Sequence, residues 1–217
     1  MNTKDTLFVE VDCQRDFVMP DGKLPVKGAD MLIDKINDIR RFVCNHKYNL
    51  VASMDWHMPN DAELSETPNF KTTFPSHCMA NTKGAVLVGQ PMYPFATFYM
   101  WPNKSQSEDI RRFVGHDFGW QAIIHKDQFD AFTNPNTALL LDVVKPKHVV
   151  VFGVALDVCV RFFLEGLLKH KSVGQVTLLT DVTKGLGIVP DSEQFNKFQN
   201  NGIVLKTWEE VKRTALK

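Results

Sequence analysis

The feature that most constrains the fold is an alternation of two kinds of apolar segment along the chain. Short runs rich in β-branched and aromatic residues predict six strands, at 6–12, 49–55, 121–125, 147–153, 174–181 and 201–207. Apolar residues repeat every three to four positions in the intervening helical stretches, at 31–43, 135–144, 156–171, 190–200 and 207–216. This alternation indicates a doubly wound α/β fold with helices on both faces of six mainly parallel strands, in the order 3-2-1-4-5-6.

Length and composition narrow the class of protein. With 217 residues, of which 44% are hydrophobic and 23% charged, we expect one domain over 1–217. Lys+Arg and Asp+Glu both number 25, so the charge balance favours neither nucleic acid nor an anionic membrane surface as a partner. The start of the chain lacks the apolar core of a secretory signal, and four cysteines are too few for a disulfide framework. We therefore expect a cytoplasmic protein.

One segment departs from the alternation. Between 58 and 120 the sequence contains no convincing strand and is rich in Pro, Phe, Tyr and Trp (QPMYPFATFYMWPNK), with one short helix predicted within SQSEDIRRFVGH. Structureless connections of this length are uncommon and often functional. We interpret about 79–120 as a long aromatic-rich loop insertion. Its aromatic residues either pack against the body or form a lid or a subunit contact.

Reactive side chains follow four of the predicted strands. In an open parallel sheet, ligands bind beyond the carboxyl ends of the strands, where the strand order reverses. The residues at these ends are an acid, two metal-ligand types, a lysine and a thiol: Asp12, Asp55 with His57, Lys126 and Cys159. A lone cysteine on an apolar helix is more often a buried structural residue. The reactive groups at the other strand ends favour a nucleophile instead.

A metal site is indicated by Asp55 and His57, two residues apart at a strand end, together with the imidazole of His77. Two histidines and one carboxylate with open positions suit Zn²⁺ best, and Mn²⁺ or Fe²⁺ nearly as well. Cys78 is the weaker candidate, because a short loop rarely aims two adjacent side chains at one ion.

The chain resembles nicotinamidases, within the wider isochorismatase-like cysteine hydrolases. Five motifs in family order carry the resemblance: VDCQRDF (11–17), MDWH (54–57), FPSHC (74–78), HKDQFDAF (125–132) and GVALDVCV (153–160). MDWH and FPSHC mark the nicotinamidase branch. The resemblance implies an isochorismatase-like fold and metal-dependent hydrolysis of nicotinamide to nicotinate and ammonia in NAD salvage, with pyrazinamide as a further substrate. The alternative is another cysteine amidase of the superfamily, acting on a carbamoyl or ureido compound and generally without a metal.

The resemblance also implies roles for individual residues. Cys159 would be the nucleophile, Asp12 the base that takes its proton and returns it to ammonia, and Lys126 the cation that holds both in place. The family has a cis peptide at the position of Val154-Ala155. The backbone amides of Ala155 and Cys159 would form the oxyanion hole.

In the same resemblance, Asp55, His57 and His77 would hold a metal that binds the pyridine nitrogen of nicotinamide. Phe17 and Phe74 align with aromatic positions of the substrate pocket. The oligomeric state stays open, a homo-oligomer included.

Two features depart from the family pattern. Some relatives have a further metal ligand shortly after DWH, and the sequence leaves Asp61, Glu63 and Glu66 as alternatives. Glu10 lies in the first strand, where relatives usually carry an aliphatic residue. A buried carboxylate there needs a partner or must stay protonated.

The protonation of the thiol follows from its predicted neighbours. A helix N-terminus and Lys126 both favour the thiolate, so we expect the pKa of Cys159 to be low. Asp12 opposes this by like charge, so the two groups should share a proton and titrate as a pair.

Overall fold

One parallel sheet forms the centre of the protein. The computed structural model describes residues 1–89, 97–115 and 119–216. Its strands are β1 (Thr6–Val11), β2 (Asn49–Asp55), β3 (Phe98–Met100), β4 (Gln121–Lys126), β5 (His148–Val154), β6 (Gln175–Lys184) and β7 (Val204–Lys206). They lie in the order β3-β4-β2-β1-β5-β6-β7, and every pairing between neighbours is parallel.

Helices flank the sheet. They are α1 (Arg15–Val18), α2 (Ile33–Asn45), α3 (Ser107–Val114), α4 (Pro135–Val144), α5 (Cys159–Lys169), α6 (Asp191–Asn200) and α7 (Trp208–Ala215). Short 3₁₀ turns occupy Ala29–Leu32, Lys83–Ala85 and Ala131–Thr133. Within the described ranges, no helix combines the length and apolar character needed to cross a membrane.

The predicted α/β architecture is confirmed, but the predicted count of six strands is wrong because the sheet has seven. Without β3, the order β4-β2-β1-β5-β6-β7 is the predicted 3-2-1-4-5-6. β3 is an edge strand of three residues, FYM, that pairs with β4 from Phe98 opposite Ala122 to Met100 opposite Ile124. A strand this short shows no periodicity in the sequence, and only its pairing partner defines it.

The aromatic-rich segment is more ordered than a loop. It contains a 3₁₀ turn, β3 and α3, and α3 confirms the helix predicted within SQSEDIRRFVGH. Residues 90–96, which are the stretch QPMYPFA, and residues 116–118 of this segment lie outside the described residues.

Two described aromatic side chains of the segment pack against the sheet. The ring of Trp101 stacks on His125 of β4, with 4.0 Å between centroids and 5° between planes, and Tyr99 stacks on the same imidazole at 5.6 Å. Burial lowers the pKa of His125 to about 4, so this imidazole is neutral. These contacts favour packing against the body for this part of the insertion.

Glu10 is paired with a buried arginine. Arg40 of α2 donates from Nε to Glu10 Oε2 at 2.9 Å and contacts Oε1 through Nη2, and its Nη1 donates to the carbonyl of Val88 at 2.5 Å. Both side chains are buried. The pair therefore gives the unusual carboxylate of β1 its partner and ties α2 to the chain after the 3₁₀ turn at 83–85.

Arg40→Met should lower the free energy of unfolding by about 3–5 kcal/mol, because it leaves the buried carboxylate of Glu10 without its ion pair. The measurement is equilibrium unfolding in urea. Lys35→Met is the matched control, since Lys35 pairs with Asp181 at 2.8 Å but is half exposed. Its loss should be about 0–1 kcal/mol. Equal losses in the two variants would contradict a structural role for the buried pair.

Candidate active site and metal centre

Four polar side chains converge at the carboxyl edge of the sheet. Asp12 follows β1, Asp55 ends β2, Lys126 ends β4, and Cys159 is the first residue of α5, which follows β5. Because β1, β2, β4 and β5 are consecutive in the sheet, their ends lie side by side. All four side chains are buried. The sequence predicted that these four side chains would lie close together, because each stands at or just after the end of a predicted strand.

Lys126 is the centre of this group. Its Nζ lies 2.9 Å from Asp12 Oδ2 and 3.7 Å from Cys159 Sγ, and it also contacts Asp55 Oδ1. Burial lowers the pKa of Lys126, but the charges of Asp12 and Asp55 raise it well above the ordinary value, so the ammonium persists. The contact with Asp55 was not predicted. Asp55 and Lys126 are register partners of neighbouring strands, which only the strand order reveals.

The carboxylate of Asp12 is held from two sides. Ser53 Oγ donates to Oδ1 at 2.6 Å, which leaves Oδ2 toward Lys126. The backbone of Asp12 has φ 47°, in the left-handed region, and its N–H donates to the carbonyl of Ser53 at 3.2 Å. The carboxylate is therefore fixed between β2 and the lysine.

The expectation of a low pKa for the thiol is wrong. Burial raises the pKa of Cys159, and the charge of Lys126 lowers it only in part because Asp12 and Asp55 raise it again. Burial likewise raises the pKa of Asp12 against the attraction of Lys126. The sequence argument treated Asp55 only as a metal ligand. In the structure its carboxylate also contacts Lys126 and so offsets part of the lysine's charge. Burial and the two carboxylates therefore favour the protonated form of the thiol.

Beside this group lies a cluster that fits a divalent metal. Asp55, His57, Glu63 and His77 are all buried, and each offers one ligand atom within 4.8 Å of the others. His77 Nε2 lies 3.4 Å from Asp55 Oδ2 and 3.8 Å from Glu63 Oε1. Asp55 Oδ2, His57 Nε2 and Glu63 Oε2 have no hydrogen-bond partner among the described residues, although they are buried. Two imidazoles and two carboxylates are a donor set that Zn²⁺, Mn²⁺ or Fe²⁺ accepts.

Each of the two imidazoles contacts an oxygen atom through its Nδ1, on the side of the ring that faces away from the cluster. His57 Nδ1 lies 3.2 Å from Asp61 Oδ2, and His77 Nδ1 lies 2.7 Å from the carbonyl of Pro75. A proton on each Nδ1 leaves each Nε2 lone pair directed into the cluster, which is the usual arrangement of histidine ligands. Asp61, one of the three alternatives for a further ligand, therefore lies behind His57 rather than in the cluster.

Glu63 is the further carboxylate of the cluster. The chain after β2 folds back through an isolated bridge between Leu64 and Phe74, with Phe74 N–H donating to the carbonyl of Glu63 at 2.8 Å. This places Glu63 opposite His77, whereas Glu66 is exposed. Burial and the charge of Asp55 raise the pKa of Glu63 to about 7. The sequence could not choose Glu63 because the choice depends on this pairing within the loop.

Glu63→Gln should weaken divalent-metal binding by about 100-fold or more, because residues behind the ligands are already worth 10–100-fold and the amide keeps the shape of a ligand but loses its charge. Competition with a chromogenic chelator measures the affinity. Binding by the wild type should also weaken from pH 8 to pH 6, since Glu63 takes up a proton near 7, and Glu63→Gln should lose that part of the dependence. Glu66→Gln is the control and should bind as the wild type does. Equal affinities for the two variants would remove Glu63 from the cluster.

The predicted pocket residues surround the thiol. Phe17 and Phe74 are buried, line the cavity beside Cys159, and have ring centroids 5.2 and 6.3 Å from that of His77. The Val154-Ala155 peptide is cis, as the family resemblance implied.

The predicted oxyanion hole consists of backbone N–H groups at the end of β5 and the start of α5. Within the described part of the chain, the N–H groups of Ala155 and Cys159 donate to no protein acceptor. Two such donors beside a nucleophile suit a developing oxyanion.

Gln14 is a site residue that the sequence did not single out. Its Nε2 donates to the carbonyls of Asp55 at 2.7 Å and Ala85 at 2.8 Å, and its Oε1 accepts from the N–H of Asp55 at 2.8 Å. The buried amide thus extends the pairing of β1 with β2 by one rung and fixes the backbone of Asp55. The glutamine of the VDCQRDF motif was the available signal.

Comparison with known proteins gives two curated relatives. No family model matches the chain. The nicotinamidase of Saccharomyces cerevisiae is 25% identical over 215 residues, covering 88% of this chain and 92% of that protein. The nicotinamidase/pyrazinamidase of Mycobacterium tuberculosis is 26% identical over 185 residues, covering 82% of this chain and 86% of that protein.

Solved structures similar to this chain include a pyrazinamidase and a protein bound to nicotinate. The pyrazinamidase of Pyrococcus horikoshii in complex with zinc matches with a TM-score of 0.72 and 27% identity, covering 94% of this chain and 99% of that one. PnC1 from L. infantum in complex with nicotinate matches with a TM-score of 0.68 and 25% identity, covering 95% and 94%. The relatives and these structures together confirm the resemblance to nicotinamidases that the motifs indicated.

Proposed function

We propose that the protein is a metal-dependent nicotinamidase that hydrolyses nicotinamide to nicotinate and ammonia, with pyrazinamide as a second substrate. In this proposal residues 1–217 form one hydrolase domain with an insertion at about 79–120, and the reaction serves NAD salvage. The observation that carries the proposal is the junction at Asp55: one carboxylate oxygen contacts Lys126 beside the thiol, and the other faces His57 and His77. A metal-bound ring and a thiol would then meet in one pocket.

The proposed cofactor is a divalent metal, Zn²⁺ in preference to Mn²⁺ or Fe²⁺, held by Asp55, His57, Glu63 and His77. When bound, the ion would supply Lewis-acid coordination to the pyridine nitrogen and so fix the ring between Phe17 and Phe74. The zinc complex of the P. horikoshii pyrazinamidase and the nicotinate complex of the L. infantum protein support a metal and a pyridine ligand of this kind.

Acylation begins from the Cys159 thiol and the Asp12 carboxylate, which both contact Lys126. The Cys159 thiol gives its proton to the Asp12 carboxylate as the sulfur attacks the amide carbon. The N–H groups of Ala155 and Cys159 donate to the resulting oxyanion. Asp12 then protonates the amide nitrogen, the C–N bond breaks, and ammonia leaves a nicotinoyl thioester on the sulfur.

Deacylation uses the same groups in reverse order. Asp12 takes one proton from water as the water oxygen attacks the thioester carbon, and the C–S bond breaks to give nicotinic acid, which loses its carboxyl proton to solvent as nicotinate leaves. The proton returns to the sulfur. Lys126 stays charged throughout, because its pKa is held well above the ordinary value. The positive charge of Lys126 offsets the negative charge as that charge moves between the Asp12 carboxylate and the Cys159 sulfur.

Lys126→Ala should raise the pKa of Cys159 further, because it removes the main charge that lowers it. Iodoacetamide alkylation of Cys159 against pH should therefore shift to higher pH, and turnover should fall. Lys126→Arg should restore little, because a planar guanidinium cannot replace a compact ammonium in this buried contact. An alkylation profile that is unchanged in Lys126→Ala would remove the role assigned to this lysine.

The test of the function is ammonia release over a panel of amides, with and without a chelator. Nicotinamide and pyrazinamide should be hydrolysed and a chelator should stop both. Benzamide, which lacks the ring nitrogen, should be much poorer. Chelator-resistant hydrolysis of a carbamoyl or ureido compound, with nicotinamide untouched, would favour the alternative amidase. The four-residue metal cluster counts against that alternative.

A further inference from the structure

The cavity that contacts Cys159 is small, with a volume of about 10 Å³. Its walls include Phe17, Phe74, Ala155 and Leu186. A cavity of this size leaves no spare room for a bulky ring substituent, so a substrate that carries one must displace part of the wall.

Leu186 belongs to a part of the wall that is held by a side chain rather than by backbone pairing. Residues 185–189, between β6 and α6, make no backbone-to-backbone hydrogen bond within the described part of the chain. By contrast, Phe17 lies in α1 and donates its N–H to Gln14, and Phe74 is bridged to Leu64. Residues 185–189 are called the roof segment below.

One carboxylate holds the roof segment. Asp157 Oδ1 accepts the N–H of Leu186 at 2.8 Å, and its Oδ2 accepts the N–H groups of Ile188 at 2.8 Å and Val189 at 3.4 Å. The side chain of Asp157 is buried, and the residue lies two positions before Cys159. The roof is thus fastened to the segment that carries the nucleophile.

The glycines on either side of Leu186 permit this wrapping. A Cβ on Gly185 would lie 2.6 Å from Asp191 Oδ1 and 3.1 Å from Asp157 Oδ1, and Gly187 has φ +87°. The backbone can therefore approach the carboxylate closely and turn Leu186 toward the cavity. Ile188 is 52% exposed and lies on the outer side of the same segment.

We propose that Leu186 is a specificity-determining residue, an apolar roof that Asp157 fastens over the thiol and that excludes amides with bulky ring substituents. The inference rests on the proposed function for its substrate class, since a flat pyridine carboxamide displaces the roof less than a ring with a bulky substituent does. A ring with a large substituent would have to detach the roof segment from Asp157.

Leu186→Ala tests this directly, with Ile188→Ala as the control on the outer side of the same segment. The kcat/KM for 5-phenylnicotinamide relative to nicotinamide should rise roughly 10–200-fold in Leu186→Ala, the range by which small changes in an apolar pocket discriminate substrates. Ile188→Ala should leave the ratio unchanged. A general loss of stability would lower both rates and leave the ratio as it was. An unchanged ratio in Leu186→Ala would overturn the proposal.

A second readout does not depend on amide hydrolysis. The rate of Cys159 alkylation by N-benzyliodoacetamide, divided by the rate with iodoacetamide, reports access by size, because the thiolate fraction cancels in the ratio. The ratio should rise at least several-fold in Leu186→Ala and also in Asp157→Asn, which replaces an acceptor oxygen with an NH₂ group. If wild type fails to hydrolyse nicotinamide, the proposed function fails, and this ratio still decides the role of Leu186. A ratio unchanged in Leu186→Ala would overturn that role.

Discussion

Cys159→Ala is expected to abolish amide hydrolysis, with kcat lower by roughly 10⁴-fold or more, as for other enzymes that lose their covalent nucleophile. The sulfur is the only atom of the proposed mechanism that bonds to the substrate carbon, and neither Asp12 nor Lys126 can replace it. The fold should survive, because the change removes one sulfur from the start of α5. Ammonia release and circular dichroism measure the two effects.

The other cysteines serve as controls. Cys44 is only partly buried and lies far along the chain from the site, so Cys44→Ala should keep nearly full activity. Cys13→Ala and Cys78→Ala should keep most of theirs in the folded fraction, since these thiols face the carbonyls of Val11 and Gly84 and do not line the cavity beside Cys159. Substantial hydrolysis by Cys159→Ala would remove the thiol from the mechanism.

Replacing a predicted metal ligand should have the next largest effect. His57→Ala and His77→Ala should each lose stoichiometric metal and lower kcat/KM by at least about 100-fold, since even residues behind the ligands are worth 10–100-fold. Asp55→Asn should do the same and also weaken the hold on Lys126, because its other oxygen contacts that ammonium. Metal content by mass spectrometry and nicotinamide hydrolysis are the measurements.

His170→Ala is the matched histidine control. His170 follows α5 and lies outside the metal cluster, with Asp142 as its neighbour at 3.8 Å. It should retain the wild-type metal content and rate. A wild-type protein that binds no transition metal stoichiometrically, yet hydrolyses nicotinamide, would contradict the metal part of the account.

Much of the site could be predicted because parallel strands end at one edge. Asp12, Asp55, Lys126 and Cys159 lie far apart in the sequence, but each stands where a recognisable strand ends, so the topology alone brings them together. The same reasoning failed for β3, because three residues carry no periodic signal. It also failed to select Glu63, which depends on the bridge between Leu64 and Phe74.

The positions of residues at strand ends did not predict the direction in which the pKa of the thiol is shifted. Position along the chain correctly put Lys126 near Cys159, and a single cation would lower the pKa of the thiol. Burial and the second carboxylate, Asp55, reverse the direction. The pKa of a buried group depends on every charge within a few ångströms. Here the register of β2 with β4 places Asp55 beside Lys126 and so determines which charges surround the thiol.

The measurement that tests the account most directly is the partition of nicotinamide products in the presence of hydroxylamine. A nicotinoyl thioester on Cys159 should be intercepted to give nicotinohydroxamate at the expense of nicotinate. Because interception follows ammonia release, ammonia and nicotinohydroxamate should both form in wild type and neither in Cys159→Ala. Nicotinate and ammonia formed without any hydroxamate, at all hydroxylamine concentrations, would contradict the acyl-enzyme on which the account depends.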